Sequence, residues 1–450
     1  MEKNCSAAFA DVRYRIGSSD LNDSQKDAVL SCLVTRECHH QSTVKLIWGP
    51  SGTGKTKTVG FMLCSLLRIK CRTLTCAPTN TALLEVTQRL LKNVIGSHEY
   101  DTYGLGDVVL FGNSERMKIF DCPDLLDVFL DNRVKILYEC LVSSSGWKGS
   151  LLSMMCLLED PKHQYELYLN ERSMTDNKEG KIEGMSKNKG RNRIQGKEID
   201  QSFEDKKGKK NIKKVIVQVL NENKNKKTLE IFPSEKEKKL ENEEIQNKCD
   251  DPLSFAEFIQ RRFDCILKRL NDCILNLYTH SPTSFISLEV VKNMNLALDF
   301  LRSLETLLCT VTVADKGLKQ VSGENEQSKL GNLMKSSFVR KDCLRILRSL
   351  PQKFPVPYFR CEDEIKKFCL ENSCLFFCTV SSSAKLHEVM VKWEVLVIEE
   401  AALIKECEST IPLQLPGLHH AILIGDEQQL LAVVKSKVYS FICLSVFMNY

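Results

Sequence analysis

"TVKLIWGPSGTGKT", Thr43 to Thr56, decides the fold. Its first part, "TVKLIWG", reads as a strand, and the residues from Lys55 to Leu67 read as a helix. Between them Gly49, Pro50, Ser51, Gly52, Thr53, Gly54, Lys55 and Thr56 match G-x-x-x-x-G-K-[ST] in the strand–loop–helix context the pattern needs. Glycines let such a loop curl so that its N–H groups face inward onto phosphates, and the helix N-terminus adds a favourable dipole. Lys55 is placed to reach the β- and γ-phosphates, and the Thr56 hydroxyl to ligate Mg2+. The expectation is a nucleoside triphosphate bound with Mg2+.

Around this stretch, strands and helices alternate. "RTLTCAP", the helix "TALLEVTQRLLKNV" and "DVVLFG" follow up to Gly112, and "SCLFFCT", "EVLVIEE" and "HAILIGD" resume the pattern from Ser373. Such alternation predicts an α/β fold, a parallel sheet with helices on both faces. Between the halves lie long amphipathic helices. "SFAEFIQRRFDCILKRLNDCILNLYTH" opens with Ser254 and Glu257 at capping-box spacing and carries Phe255, Ile259, Ile266, Leu270, Ile274 and Leu277 as an apolar stripe. "SLEVVKNMNLALDFLRSLETLL" follows, and "FVRKDCLRILRSL" is expected to end against Pro351.

The run "WEVLVIEEAAL", Trp393 to Leu403, places two carboxylates at the end of a strand apolar enough to be buried on both faces. In a phosphate-loop fold these are Walker B acids. Glu399 is then the metal residue and Glu400 the base that orients and deprotonates water, the pair standing on a β-element that neighbours the loop strand. "ILIGDEQQL" ends a further strand in Gly425 and Asp426, with Gln429 placed to sense the γ-phosphate. In "LNDSQKDAV", Gln25 is placed to read adenine through its amide.

Composition bounds the rest. The chain has 450 residues, 43% hydrophobic and 27% charged, as in ordinary globular proteins. Its 20 Cys lie without disulfide spacing behind an N-terminus that has no apolar leader, so free thiols are expected. Neither Cys32, Cys38, His39 and His40 nor Cys369, Cys374 and Cys378 have metal-finger spacing. The longest uncharged apolar segment, "VYSFICLSVFMNY" from Val438 to Tyr450, is 13 residues long, too short for a membrane helix; a soluble protein with no membrane partner is expected. The net charge is +5, but residues 171–240 alone carry +8, which leaves −3 elsewhere. Between Tyr168 and Phe232 that Lys-rich stretch contains one aromatic, Phe203, and it is expected to be a disordered linker that could contact protein partners, nucleic acid or import factors; nucleus or cytoplasm follows, nucleus preferred.

Taken together, "LNDSQKDAV", "GPSGTGKT", "APTNTAL", "FCTVSSSAKL", "VIEEAA" and "GDEQQL" resemble the first motor domain of superfamily 1 helicases. The chain is most similar to the senataxin and nonsense-mediated-decay branch with its plant MAGATAMA-like relatives. "KECESTIPLQLPGLHHAILIGD" is especially close. The resemblance implies a RecA-like domain, ATP-driven movement on RNA or DNA (single-stranded), and nucleic-acid contacts from Pro78, Thr79, Asn80, Thr379 and Ser381. It also implies an accessory subdomain in the helical insertion. The expected divisions are an N-terminal segment (1–20), a RecA-like domain split over 21–112 and 358–437, a helical insertion at 113–170 and 251–357, the linker (171–250) and a divergent tail (438–450).

The chain departs from the family in three ways. Glu399 stands where the family has Asp, one methylene longer in a magnesium site of demanding geometry. Leu431 replaces a Pro. No second motor domain follows Gln429, and a missing arginine finger costs about 10³ to 10⁵ in rate. The expectation is an ATP-binding half-motor, truncated, with little turnover alone; a non-catalytic, ATP-dependent binding fragment is the alternative. "NKCD", Asn247 to Asp250, fits a guanine-reading pattern but follows a polar run rather than a strand.

Overall fold

A computed structural model describes residues 2–36, 40–50, 52–95, 100, 102–183, 252–317, 326–389 and 391–426. Helices α1 (Glu2–Gly17) and α2 (Asp23–Thr35) precede β1 (Thr43–Trp48), α3 (Lys55–Arg68), β2 (Thr73–Ala77), α4 (Asn80–Val94) and β3 (Val108–Leu110). After a short α5 (Ser114–Met117) come α6 (Leu130–Leu141), α7 (Trp147–Glu159) and α8 (Pro161–Glu183). Then follow α9 (Phe255–His280), α10 (Leu288–Gly317), α11 (Glu326–Lys353) and α12 (Glu362–Asn372). The last described elements are β4 (Leu375–Thr379), β5 (Val395–Ile398), α13 (Glu406–Leu413) and β6 (His420–Gly425).

The strands form one parallel sheet in the order β1-β6-β5-β2-β4-β3, the α/β, RecA-like arrangement the alternation predicts. Its central strands are continuous apolar runs and are buried on both faces: β5 entirely, and β4 up to Cys378. One expectation needs correcting. β5 does not neighbour the loop strand, because β6 lies between them. Glu399 and Glu400 therefore follow a strand that lies two spacings, about 10 Å, from the loop strand. That gap can close because β6 ends in Gly425, where a Cβ would stand 3.2 Å from the Ala402 backbone nitrogen.

Local signals set the helix starts. Asn22 and Gln25 close a capping box on α2. The Thr79 side chain caps α4, whose core face runs through Leu83, Val86, Leu90 and Val94 at helical spacing. Ser254 and Glu257 form the expected box at the start of α9. Along α9 the residues Ile266, Leu270, Ile274 and Leu277 are buried, but Phe255, the first residue of the helix, is exposed and meets the Tyr165 ring edge-on. α11 does not stop at Pro351. Proline removes one hydrogen bond, but so near the end the ladder resumes, with Phe354 N–H donating to the Leu350 carbonyl.

The described residues of 1–159 and 260–450 form one compact unit, and those of 160–259 a second. In the first, α10 packs along α11, α7 against α11, and α6 against α12. In the second, Tyr165, Tyr168, Leu253 and Phe258 form a small cluster. α8 runs to Glu183, into the stretch read as linker, because extending a helix from an anchored first half costs little. The remainder of that linker, "NKCD" and the tail lie outside the described residues.

Among the described residues no helix is long and apolar enough to cross a membrane, and the described cysteines are free. Burial pushes the Cys369 thiol up to about 11, so it is inert at neutral pH.

Candidate nucleotide site

The C-terminal ends of the parallel strands all open on one edge of the sheet. Gly52 and Gly54 bend the loop after β1 with φ of 83° each, in the left-handed region that suits residues lacking a Cβ. Within the loop the Thr53 hydroxyl donates to the Pro50 carbonyl at 2.7 Å. A Cβ on Gly49 would meet that hydroxyl oxygen at 2.8 Å. Lys55 Nζ sits inside the curl, donating to the Gly49 carbonyl at 2.5 Å and to Pro50 at 3.2 Å. Ser51 lies outside the described residues.

Gln25 reaches this loop from α2. Its Oε1 accepts from Asn22 N–H at 3.1 Å, and its Nε2 donates to the Thr53 carbonyl at 3.0 Å. The Gln25 amide packs so closely that a Cβ on Gly54 would touch Nε2 at 2.7 Å.

Across β6 stands Glu399, 3% exposed, its Oε2 buried and without a partner. Its own N–H donates to the Cys76 carbonyl at 2.9 Å, which locks the end of β5 to β2. Burial pushes its carboxyl up to about 7, and the Glu400 carboxylate pushes the same way. The Lys55 ammonium and the Thr56 hydroxyl oppose that rise, so the Glu399 carboxyl lies within reach of the loop. Glu400 is partly buried and has φ 53°, the left-handed region rarely adopted outside glycine. The chain leaves β5 through this residue into a 3-10 turn, Ala401–Leu403, which turns Glu400 out of the strand's alternation.

Glu85 on α4 also raises the Glu399 carboxyl, and sequence reasoning missed it. It lies in a helix whose pattern speaks only of packing, and its visible partner is Arg89 at 2.8 Å, an ordinary helix pair.

The oxygens of Glu399 and Thr56 fit magnesium. That ion takes one or two carboxylates and fills its octahedron with phosphate oxygens and water. Among the described residues no cluster of three or more His, Cys, Asp or Glu offers the alternative of an all-protein metal cage.

The expected nucleic-acid residues sit on the same edge. Ala77 pairs with Thr379 in register, so Pro78–Asn80 and Thr379–Ser381 leave adjacent strands together, and Val380 N–H bonds the Ala77 carbonyl. Several of these side chains already have structural work. Thr79 accepts from Ala82 N–H, Asn80 donates to the Arg116 carbonyl, and Thr379 meets Ser382 at 2.8 Å. Ser381 is exposed. Asp426 is buried at the end of β6; Gln429 and Leu431 lie outside the described residues.

A family model described as an AAA domain matches residues 20–437, from before Gln25 to beyond Gln429. No curated protein is a significant match.

Proposed function

The chain belongs to the AAA domain family found in superfamily 1 helicases, and from that premise we propose that it is an ATP-binding motor domain of the senataxin and nonsense-mediated-decay branch that engages single-stranded RNA or DNA. One observation carries the nucleotide reading: the buried, half-satisfied carboxylate of Glu399 beside Thr56 and Lys55. A buried acid with an unpartnered oxygen costs stability, and a divalent ion with its phosphates offsets that cost.

In this reading the loop N–H groups and Lys55 hold the β- and γ-phosphates, and Gln25 faces the adenine. Thr56 and Glu399 would hold magnesium, which when bound neutralises charge on the phosphates. Glu400 orients a water. The water oxygen bonds to the γ-phosphorus, the bond to the β–γ bridging oxygen breaks, and Glu400 accepts the water proton. ADP and phosphate leave, and Gln429 is the candidate for reporting that loss. Pro78, Thr79, Asn80, Thr379 and Ser381 are proposed to line the path of the nucleic acid, with Thr79 and Asn80 contributing chiefly by shaping the turn. The branch of the family, the RNA or DNA preference and nuclear residence are part of the same proposal.

Turnover by the 450-residue chain is proposed to be slow. The longer Glu399 side chain crowds a site of strict geometry, and the described residues contain one RecA-like sheet, hence one wall of a cleft. The test is fluorescent-ATP binding and phosphate release on the same preparation, with and without single-stranded RNA. Magnesium-dependent binding lost in Lys55→Ala, with little phosphate release, is the expected result. Rapid RNA-stimulated release that requires Lys55 would refute slow turnover; no magnesium-dependent binding would refute the nucleotide site.

A further inference from the structure

Among the described residues nothing covers the outer face of β1. Val44, Leu46 and Trp48 are 63%, 68% and 58% exposed, whereas Thr43, Lys45 and Ile47 alternate with them toward α2 and the core. Parallel sheets are normally covered on both faces. Register shows where cover runs out. Ile398 of β5 is buried, Leu423 beside it on β6 is partly exposed, and Leu46 beside that is open. Trp48 pairs with Gly425, which offers no side chain to shield it. Three large apolar side chains in line, with no charge among them, form a surface that calls for an occupant.

We infer that residues 438–450 of this chain dock on that face, against Val44, Leu46 and Trp48. The segment "VYSFICLSVFMNY" has no charged residue and is rich in aromatic and branched side chains, the complement of the stripe. It begins 12 residues beyond Asp426, the residue that follows the end of β6, where Gly425 pairs with Trp48. Such a tether reaches up to about 40 Å, twice the roughly 20 Å length of β1. It also holds the segment near the face at an effective concentration of order mM, which a second copy or a separate partner must exceed to displace it.

Trp48 reports on this directly. The chain has three Trp, and the other two, Trp147 and Trp393, are each 1% exposed, so acrylamide quenching of the native full chain reads Trp48 alone. Trp48→Phe confirms the assignment. Trp48 shielded in the wild type and several-fold more quenchable in the Phe441→Glu, Phe447→Glu double variant is the expected result. Free Trp48 in the wild type overturns the proposal. So does shielding that survives the double variant, which would assign the face to a second copy (shielding then varies with protein concentration) or to another segment. If the double variant fails to fold, Leu46→Glu decides. On a docked face it releases the tail to limited proteolysis; on a bare face it leaves cleavage unchanged.

Discussion

The two ends of the same sheet each bury an acid and use it in opposite ways. At the strand N-terminal end, Asp107 is 2% exposed and both its oxygens are bonded. Thr283 N–H reaches Oδ1 at 3.0 Å, while the Thr283 hydroxyl and Lys70 Nζ reach Oδ2 at 2.6 Å and 2.5 Å. Arg133 nearby donates to the carbonyls of Leu105, Gly106, Val108 and Asp127. At the C-terminal end, Glu399 is equally buried but has one oxygen unpartnered and a carboxyl pushed up to about 7. Equal burial thus hides a difference between the two carboxylates: Asp107 has both oxygens bonded by its own fold, and Glu399 keeps one oxygen open.

The comparison breaks first at Asp107. Asp107→Ala should cost about 4 kcal/mol of stability, because it leaves the Thr283 N–H and hydroxyl without their buried acceptor and removes the bond from the half-exposed Lys70. Urea unfolding measures this, and ATP affinity of the protein that remains folded should not change. If Asp107→Ala is tolerated without loss, the N-terminal end is not a structural clamp.

At Glu399 the sign reverses. An unfolded glutamate ionises near 4.5 and the folded one near 7, so the folded state holds its proton more tightly. Nucleotide-free wild type therefore loses stability as pH rises from about 4.5 to about 7, and no further loss comes from this group above that. Glu399→Gln lacks this term and should be more stable than wild type by about 3 kcal/mol above pH 7, with the gain fading below pH 5. Thermal melts across pH without magnesium test this. The same titration predicts that magnesium-dependent ATP binding strengthens through about pH 7, since the ligating carboxylate must be ionised.

Lys55→Ala should weaken ATP binding about 100-fold, the equivalent of one or two charge-assisted hydrogen bonds, with little effect on melting. Gln25→Ala sharpens the picture least: about a 5-fold loss of ATP affinity, and a small loss of stability from the broken capping box. An unchanged ratio of ATP to GTP affinity in that variant would remove Gln25 from base reading.

How much was legible follows the same division. The phosphate loop and β5 announce themselves because their chemistry is local: one is a turn needing glycines, the other an apolar run ending in acids. The Ser254 cap is equally local, whereas the caps at Asn22 and Thr79 came only with the structure. Glu85, Asp107 and Arg133 were not legible, since each acts on a group brought near only by folding, and no spacing along the chain records that. The place of β6 between the loop strand and the Walker B strand was missed for the same reason, because strand order is settled by packing rather than by sequence adjacency. Pro351 misled in a simpler way: a helix end was read from a residue that tolerates one more turn when few bonds remain to be made.

Gln25 has a final consequence. A side-chain amide offers two N–H donors and two lone pairs, and here one of each is taken, by Thr53 and Asn22. The spare donor and spare acceptor form a complementary pair for a base edge that presents the opposite pair. A purine gripped there would pull at once on the first turn of a helix and on the rim of the phosphate cradle. The identity of the base would thus be felt mechanically at both places, before any bond to phosphorus is broken.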